Sequence, residues 1–249
     1  QGVDWLRRML GNGFNVILAD EMGLGKTVQA LAALNLLRVA GAPPALVVCP
    51  ASLVENWQRE CNRFLPAYKV GALYGSQRDT VLGHLTDYDL VVVSYTLARR
   101  EIAQLSKQYF TLVILDEAQH IKNPGTANAQ SCKALKARHK LVLTGTPLEN
   151  SPDDLWSIFD FLHPGLLGSF NSFKKTYADI AGSPELQSEL AARVAPFIKR
   201  RNKAMVAPEL PPREECSCFC TMEPAQRALY DQMLAEGRKQ LAHLEQDPA

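Results

Sequence analysis

Short runs of valine, isoleucine and leucine recur along the first part of the chain, and each run ends at polar or small residues. The runs span residues 16–20, 45–50, 90–95, 112–117 and 141–146. Helix-like stretches, such as 26–40 and 126–138, separate them. Nearly continuous apolar strands that alternate with helices are typical of a parallel sheet covered on both faces. The pattern therefore predicts an α/β fold with helices on both faces of a parallel sheet.

Polar or small residues stand at the end of each of these runs, just after its apolar part. They are Asp20, Pro50, Ser94, Asp116 and Thr144. Ligands of such sheets bind beyond the carboxyl ends of the strands. We therefore expect these residues to lie along one edge of the sheet and to include its functional groups.

The pattern changes after Asn150. Stretches 153–164, 173–180 and 183–201 are helical in pattern with no strand between them, and Ser183 is a candidate N-cap. Residues 207–215 contain three prolines, which favours an extended connector. A strand-like stretch (216–222) and an amphipathic helix from Pro224 to about Glu245 follow. We divide the chain into an α/β domain (1–165), a helical appendage (166–206) and a connector with a segment leading elsewhere (207–249).

The charge balance and the cysteine content indicate what kind of partner surface and redox state to expect. Lysine and arginine total 27 against 26 aspartate and glutamate residues, so a nucleic-acid partner needs a local basic surface. The basic cluster of Lys199, Arg200, Arg201 and Lys203 is such a candidate, although we favour a solvated face or a contact with another lobe or domain of the protein. The six cysteines do not have the spacing of a disulfide scaffold, which indicates reduced thiols.

Three of those cysteines alternate in the stretch "CSCFC" at residues 216–220. A metal site is one interpretation, and three buried side chains on one face of a strand are the favoured one. No apolar run approaches the roughly 20 residues of a membrane-spanning helix. We therefore expect a cytoplasmic protein that has no membrane partner and is not secreted.

The stretch "DEMGLGKT" (20–27) lies between a predicted strand and a predicted helix. Its glycines let the amides of Gly23, Leu24, Gly25 and Lys26 point at phosphate oxygens. The Lys26 ammonium adds a charge for the β and γ phosphates, and Thr27 supplies a hydroxyl ligand for Mg²⁺. Asp20 stands where the usual pattern has its first glycine, which leaves these amides in place. A glycine-rich turn with a chance lysine is the alternative.

The stretch "LVILDEAQ" (112–119) is an apolar strand that ends in two carboxylates. Asp116 would hold Mg²⁺, and Glu117 would act as the general base for an attacking water. A solvated acidic turn explains the pair equally well when it is taken alone. Its combination with a phosphate loop favours an ATP site with Mg²⁺.

The motifs "DEMGLGKT", "DEAQ" and "LTGTPLEN", in this order, resemble helicase superfamily two, and in particular the Swi/Snf-type DNA-translocating ATPases. That family commonly has aspartate at the first-glycine position, so Asp20 resembles a family trait. Further resemblance covers essentially the whole chain, through residues 49–60, 91–100, 143–165 and 196–215. Proteins of this family have two RecA-like lobes, which close on ATP and move duplex DNA without full strand separation. The resemblance implies that the chain is the N-terminal lobe and that the protein works in the nucleoid or the nucleus.

The resemblance also implies roles for individual residues. Lys26, Thr27, Asp116 and Glu117 would be the ATPase residues of this lobe, and Thr27 and Asp116 would hold Mg²⁺. Residues that couple the nucleotide to the DNA would be Gln119, Thr144, Gly145 and Thr146. Residues that face the DNA backbone without reading sequence would be Pro50, Ala51, Ser52, Ser94 and Tyr95. A helix N-cap is an alternative for Ser52, and core packing is the interpretation for Trp57.

Two departures from the family pattern qualify this interpretation. The family's adenine-reading glutamine would lie before Gln1, so we expect the chain to be a piece of a longer protein. The motifs of the second lobe, with its arginine finger, do not follow, so the chain alone would hydrolyse ATP poorly. We expect the first lobe of a DNA-dependent ATPase that remodels protein–DNA complexes. The alternatives are a nucleotide-gated interaction module with vestigial chemistry and a strand-separating helicase.

Overall fold

A computed structural model describes residues 1–145, 151–206, 209 and 216–246. It divides the chain into two compact units, Gln1–Pro208 and Glu209–Ala249. The first unit contains all seven strands of the described part and the second contains one long helix.

The first unit alternates strands and helices from its start to Leu143. The strands are β1 (Val16–Leu18), β2 (Ala45–Cys49), β3 (Val70–Leu73), β4 (Leu90–Ser94), β5 (Tyr109–Asp116), β6 (Lys136–Leu143) and β7 (Ile198–Lys199). The helices are α1 (Gly2–Gly11), α2 (Lys26–Leu37), α3 (Val54–Phe64), α4 (Arg78–Gly83), α5 (Tyr95–Arg100), α6 (Ile102–Leu105), α7 (Ala127–Ala134), α8 (Pro152–Leu162), α9 (Phe170–Thr176), α10 (Pro184–Val194) and α11 (Lys203–Val206).

The seven strands form one sheet in the order β3-β4-β2-β5-β6-β1-β7. Every strand pair in it is parallel. The five apolar runs all become strands, so the predicted parallel α/β sheet is confirmed. The strand β6 lies between β1 and β5, which carry the two candidate nucleotide motifs.

Two strands of the sheet were missed from the sequence. The edge strand β3 has only four residues and includes Gly71, so it lacks an apolar run. The two-residue strand β7 lies where the pattern predicted a helix over 183–201, and that prediction is wrong beyond Val194. Pro196 explains the early end, because it has no N–H for a helical hydrogen bond and its ring clashes with the preceding turn. The predicted cap holds, since the Ser183 hydroxyl accepts a hydrogen bond from the Leu186 N–H.

Apolar side chains fill both faces of the sheet. One core packs α1, α2 and α3 against one face, with Leu6, Leu34 and Trp57 among its buried side chains. The other core covers the opposite face and includes Phe159 and Phe173 from later helices. Successive residues of a strand point to opposite faces, so Val47 joins the first core and Val48 the second. This alternation confirms that helices cover both faces.

The helices α9 and α10 share the second core with α8. Phe173, Tyr177, Leu190 and Val194 are buried there. These helices therefore belong to the same compact unit as the sheet. The proposed boundary between residues 165 and 166 stays a prediction.

The second unit contains α12 (Pro224–Gln246), close to the predicted bounds. The predicted strand over 216–222 is wrong, because this segment has no secondary structure, and Cys216, Cys218 and Cys220 are exposed. A strand needs a neighbour to satisfy its backbone groups, and the described residues of this unit supply no strand. The connector predicted for 207–215 lies outside the described residues, apart from Glu209.

Neither a clustered metal site nor a membrane-spanning helix occurs among the described residues. Within the described residues, no group of three or more histidine, cysteine, aspartate or glutamate side chains is arranged to hold a metal ion. None of the described helices combines the length and the apolar character needed to cross a bilayer.

The packing of α8 on the sheet gives a test of the unit's integrity. Phe159 has no exposed surface, and its ring lies 6.1 Å from that of Phe197, just before β7. We expect Phe159→Ala to lower the free energy of unfolding by about 3–5 kcal/mol because it leaves a cavity. Chemical denaturation measures this loss. Phe219→Ala is the control, since that side chain is 95% exposed and its loss is expected to change stability by less than about 0.5 kcal/mol. Equal effects of the two substitutions would contradict the packing described.

Candidate nucleotide site

The carboxyl ends of the central strands form the edge at which the candidate residues meet. In the strand register, Leu143 pairs with both Leu18 and Asp116, so the ends of β1, β6 and β5 lie level. Neighbouring strands lie about 4.8 Å apart, which separates β1 from β5 by about 10 Å. The loop after β1 and the carboxylates at the end of β5 therefore lie at the same edge of the sheet, with Thr144 between them.

The phosphate loop is built by two glycines with left-handed backbone angles. Gly23 has φ +90° and Gly25 has φ +71°, values that other residues adopt only with strain. Gly25 is the N-cap residue of α2, and its side-chain-free position leaves the first amides of the helix open. The helix N-terminus carries a partial positive charge and unpaired N–H groups, which suit a phosphate. Lys26 and Thr27 are the first two residues of this helix.

The Lys26 ammonium lies over the loop itself. Its Nζ donates a hydrogen bond of 2.8 Å to the backbone carbonyl of Asp20. An open pocket of about 570 Å³ adjoins the loop and is lined by Gly2, Gly23, Gly25 and Gln29, among others. The side chain of Lys26 is half-buried.

Asp116 lies at the end of β5 with a largely buried carboxylate. Its Oδ2 accepts a hydrogen bond of 2.8 Å from Trp57 Nε1, and its Oδ1 accepts one of 3.0 Å from the Glu117 N–H. Burial raises the pKa of Asp116 above its usual value, while the hydrogen bond from Trp57 and the charge of Lys26 lower it. A buried carboxylate held by neutral donors gains most from a nearby cation.

Glu117 has an unusual backbone. Among the described residues it is the one non-glycine residue with a positive φ, at 51°. The left-handed conformation costs a residue with a side chain about 1–2 kcal/mol. Such strain tends to occur at functional sites, where the surrounding structure enforces it. Glu117 directly follows Asp116, so the strained residue lies at the end of β5.

The predicted coupling residues have different environments. Gln119 is exposed, in a short 3-10 turn after Glu117. Thr144 is buried, and its N–H donates to the Leu18 carbonyl beside the phosphate loop. Gly145 is half-buried, and Thr146 lies outside the described residues. Thr144 therefore links the end of β6 to the end of β1.

Three of the predicted DNA-facing residues lie in one accessible turn. Ala51 and Ser52 are exposed and Pro50 is half-buried, all at the end of β2. The N-cap residue of α3 is Leu53, without a side-chain cap, so the alternative role of Ser52 as the N-cap is wrong. Ser94 caps α5 by accepting a hydrogen bond from the Leu97 N–H.

Tyr95 requires a correction among the predicted DNA contacts. Its side chain is only 4% exposed, and its hydroxyl donates a hydrogen bond of 2.9 Å to the Asp116 carbonyl. Its ring also stacks on His120, with 4.8 Å between the ring centroids. A phenol buried in this way does not face a DNA backbone. We assign its side chain to holding the end of β5.

Trp57 has a role beyond the predicted core packing. It is fully buried, as expected for the apolar face of α3, but its indole N–H also holds the Asp116 carboxylate. Burial raises the pKa of the neighbouring Cys49 thiol to about 12, so this thiol stays neutral beside the site. The sequence contains no signal that pairs Trp57 with a residue 59 positions later.

Arg201 is the second residue whose role the sequence did not reveal. Its Nε donates a hydrogen bond of 3.0 Å to Asp20 Oδ1, and a terminal nitrogen of the guanidinium donates to Asp20 Oδ2. The Asp20 side chain is fully buried and that of Arg201 is 14% exposed. The interpretation of the basic cluster as a solvated face is therefore wrong for Arg201, whereas the neighbouring Arg200 is exposed.

The hydrogen bond from Trp57 to Asp116 is expected to stabilise the fold by an amount that depends on pH. Because the pKa of Asp116 is raised in the folded protein, its contribution to stability is fully present below the unfolded pKa and is lost as the pH rises through the folded pKa. Trp57→Phe removes a donor to the carboxylate, which raises that pKa further. We expect this substitution to cost about 1.5–3 kcal/mol near neutral pH and less in acid, measured by denaturant unfolding with a metal chelator present.

Trp156→Phe is the matched control for this experiment. Trp156 Nε1 donates to the neutral backbone carbonyl of Gly168 at 3.1 Å, so its loss is expected to be independent of pH. Parallel pH profiles for the two variants would show that Trp57 does not stabilise the Asp116 carboxylate.

Comparison with known proteins identifies the family of the whole chain. The model of the SNF2-related domain matches residues 1–247. The chain is 36% identical over 245 residues to the putative ATP-dependent helicase/translocase YwqA of Bacillus subtilis. The alignment covers 94% of this chain and 27% of YwqA. The chain is also 35% identical over 259 residues to the chromatin-remodeling ATPase INO80 of Candida albicans. That alignment covers 95% of this chain and 19% of INO80.

A solved structure agrees with the sequence matches. The Sulfolobus solfataricus SWI2/SNF2 ATPase core in complex with dsDNA superimposes with a TM-score of 0.78 at 37% identity, over 100% of this chain and 53% of that one. The predicted RecA-like fold and the resemblance to Swi/Snf-type ATPases are thereby confirmed. The chain spans about half of that core and about a quarter or less of the two curated relatives. It belongs to the SNF2-related domain family.

Proposed function

We propose that this chain is the first ATPase lobe of a DNA-dependent ATPase that moves along duplex DNA and remodels protein–DNA complexes. One observation supports this proposal most strongly: the two nucleotide motifs lie at the same edge of the sheet. The glycine-rich loop before α2 and the two carboxylates at the end of β5 lie on either side of Thr144. A phosphate site and an acidic pair at this spacing suit phosphoryl transfer.

Four residues carry the chemistry in this proposal. The amides of residues 23–26 and the Lys26 ammonium bind the phosphates of ATP. Glu117 acts as the general base that orients and deprotonates the attacking water. Thr27 and Asp116 would hold Mg²⁺, which neutralises charge on the phosphate oxygens when it is bound.

The donor set fits this metal. Mg²⁺ prefers oxygen ligands, and a hydroxyl and a carboxylate at the two motifs supply them. Asp116 has a raised pKa because it is buried, so a nearby cation stabilises its charged form. The buried indole N–H of Trp57 fixes the orientation of the carboxylate, and the Tyr95 hydroxyl fixes the backbone behind it.

Duplex DNA and a second RecA-like lobe are the proposed partners. The name of the archaeal relative describes an ATPase core bound to dsDNA, and INO80 is named a chromatin-remodeling ATPase. The exposed turn of Ala51 and Ser52 at the end of β2 offers amides and a hydroxyl for backbone phosphates. Gln119, Thr144, Gly145 and Thr146 remain the proposed route between nucleotide and DNA. Work on DNA implies the nucleoid or the nucleus.

The role of Glu117 is tested in the natural full-length protein. We expect Glu117→Gln to lower duplex-stimulated ATP hydrolysis by about 100- to 10,000-fold, because it removes the base and keeps the shape. Binding of Mg-ATP is expected to persist, measured with a fluorescent nucleotide. Lys26→Ala is expected to weaken that binding itself, since it removes the phosphate-binding charge.

Glu185→Gln is the control for the loss of a carboxylate. Glu185 is exposed in the first turn of α10, so hydrolysis is expected to stay within about twofold of the parent. Undiminished hydrolysis by Glu117→Gln would refute the base assignment. ATP binding without hydrolysis in the parent under every condition would favour a nucleotide-gated interaction module instead.

A further inference from the structure

The side chains of Asp20, Gln29 and Arg201 form a closed hydrogen-bonded group beside the phosphate loop. Arg201 donates to both oxygens of the buried Asp20 carboxylate, and one of its terminal nitrogens also donates to Gln29 Oε1 at 2.8 Å. Gln29 in turn donates 3.2 Å to Asp20 Oδ2 and 2.9 Å to the backbone carbonyl of Leu24. The group therefore contacts the start of the loop at Asp20 and its middle at Leu24.

The N-terminus of α1 closes this group from outside. Gly2 is buried, and a Cβ built on it would overlap Gln29 Oε1 and crowd the Arg201 guanidinium. Only a residue without a side chain fits so close to these two polar groups. Packing therefore restricts the side-chain rotamers of Gln29 and Arg201.

The backbone around Arg201 is attached to the same loop. We call residues 198–203 the strap. The Ala19 N–H donates 2.7 Å to the Lys199 carbonyl, and the Glu21 N–H donates 2.9 Å to the Arg201 carbonyl. The Lys203 N–H donates 2.7 Å to Glu21 Oε2. The strap thus runs along the loop from β1 to Glu21.

We propose that Arg201 is a positioning residue of the nucleotide site, and that nucleotide binding and the order of the strap are coupled through it. The inference rests on the proposed function, since it concerns how the same site is held. Arg201 fixes Asp20 directly and Leu24 through Gln29. The carbonyl of Asp20 holds the Lys26 ammonium at 2.8 Å. One guanidinium therefore sets the loop backbone and the position of the lysine.

Arginine is suited to this position by its geometry. Its planar fork engages both carboxylate oxygens and has a further N–H for the amide of Gln29. A lysine at this position would supply a single ammonium that satisfies one oxygen well. Arg201→Lys is therefore expected to keep the charge and lose part of the positioning.

Coupling of this kind is reciprocal. If an ordered strap favours the loop that binds nucleotide, bound nucleotide favours the ordered strap by the same factor. A merely structural role of Arg201 would lower stability without linking the two.

The test compares three variants of the natural full-length protein with the parent. Arg201→Gln removes the fork, Arg201→Lys keeps its charge, and Arg200→Gln makes the same change at the exposed neighbour. Affinity for Mg-ADP is measured with a fluorescent analogue, and KM and kcat for ATP are measured with duplex DNA. Hydrogen exchange of residues 198–203 is followed with and without Mg-ADP.

We expect Arg201→Gln to weaken Mg-ADP binding at least tenfold, Arg201→Lys to fall between it and the parent, and Arg200→Gln to stay within twofold. KM is expected to rise more than kcat falls, because the loop holds the phosphates in both ground and transition states. Mg-ADP is expected to slow exchange in the strap of the parent. A folded Arg201→Gln variant with the parent's affinity would overturn the inference.

Two further measurements keep the outcomes distinct. If Arg201→Gln does not fold, the double variant Asp20→Asn with Arg201→Gln replaces the buried charge pair by two amides. The parent's exchange data remain informative in that case, and no nucleotide-dependent protection of the strap would refute the coupling. Failure of the proposed function has a different signature, in which the parent and Lys26→Ala show the same lack of Mg-ADP binding.

Discussion

The buried ion pair between Asp20 and Arg201 joins residues 181 positions apart and sets much of the architecture of the first unit. A fully buried carboxylate is costly unless a cation and further hydrogen bonds accompany it, and removal of one partner of such a pair typically costs about 3–5 kcal/mol. Asp20 receives its cation from Arg201, immediately beyond β7. The chain must therefore return to the outer edge of β1 after α10, and it adds a seventh strand there. This return places the helices of residues 166–206 in the same compact unit as the sheet.

Two buried aspartates at the same edge are treated differently by their surroundings. Asp20 is held by a guanidinium fork and a glutamine, and so it serves as a fixed anchor for the phosphate loop. Asp116 is held by an indole N–H and a backbone N–H, and burial raises its pKa. The second carboxylate is the one that gains from a divalent cation. The proposed division between anchor and metal ligand follows from these two sets of donors.

Local sequence signals were enough to predict the elements on which the motifs lie. Five apolar runs predicted β1, β2, β4, β5 and β6, and the glycine-rich turn before Lys26 predicted the start of α2. Both strands that were missed lie at the edges of the sheet, where few residues pair and apolar runs are short. The helix predicted across 183–201 was too long because the pattern ignored Pro196.

The contacts that refine the site could not be predicted, because they join residues far apart in the chain. Trp57 satisfied an apolar helix pattern, which left no reason to assign its N–H to Asp116. Tyr95 follows a strand end, and its burial and the hydrogen bond from its hydroxyl to the Asp116 carbonyl become visible only in the complete fold. The buried pairing of Arg201 with Asp20 is invisible to a motif that ends at Thr27. Local patterns determine secondary structure well, whereas buried polar pairs depend on the complete fold.

Direct titration of nucleotide into the natural full-length protein tests the central claim most simply. The claim is that the edge formed by β1, β6 and β5 is a Mg²⁺-dependent nucleotide site. Calorimetry with a non-hydrolysable ATP analogue is predicted to show binding that weakens at least tenfold when Mg²⁺ is chelated and also weakens in Asp116→Asn. Binding that is unchanged by both treatments, or no binding at all in the presence of Mg²⁺, would contradict the account.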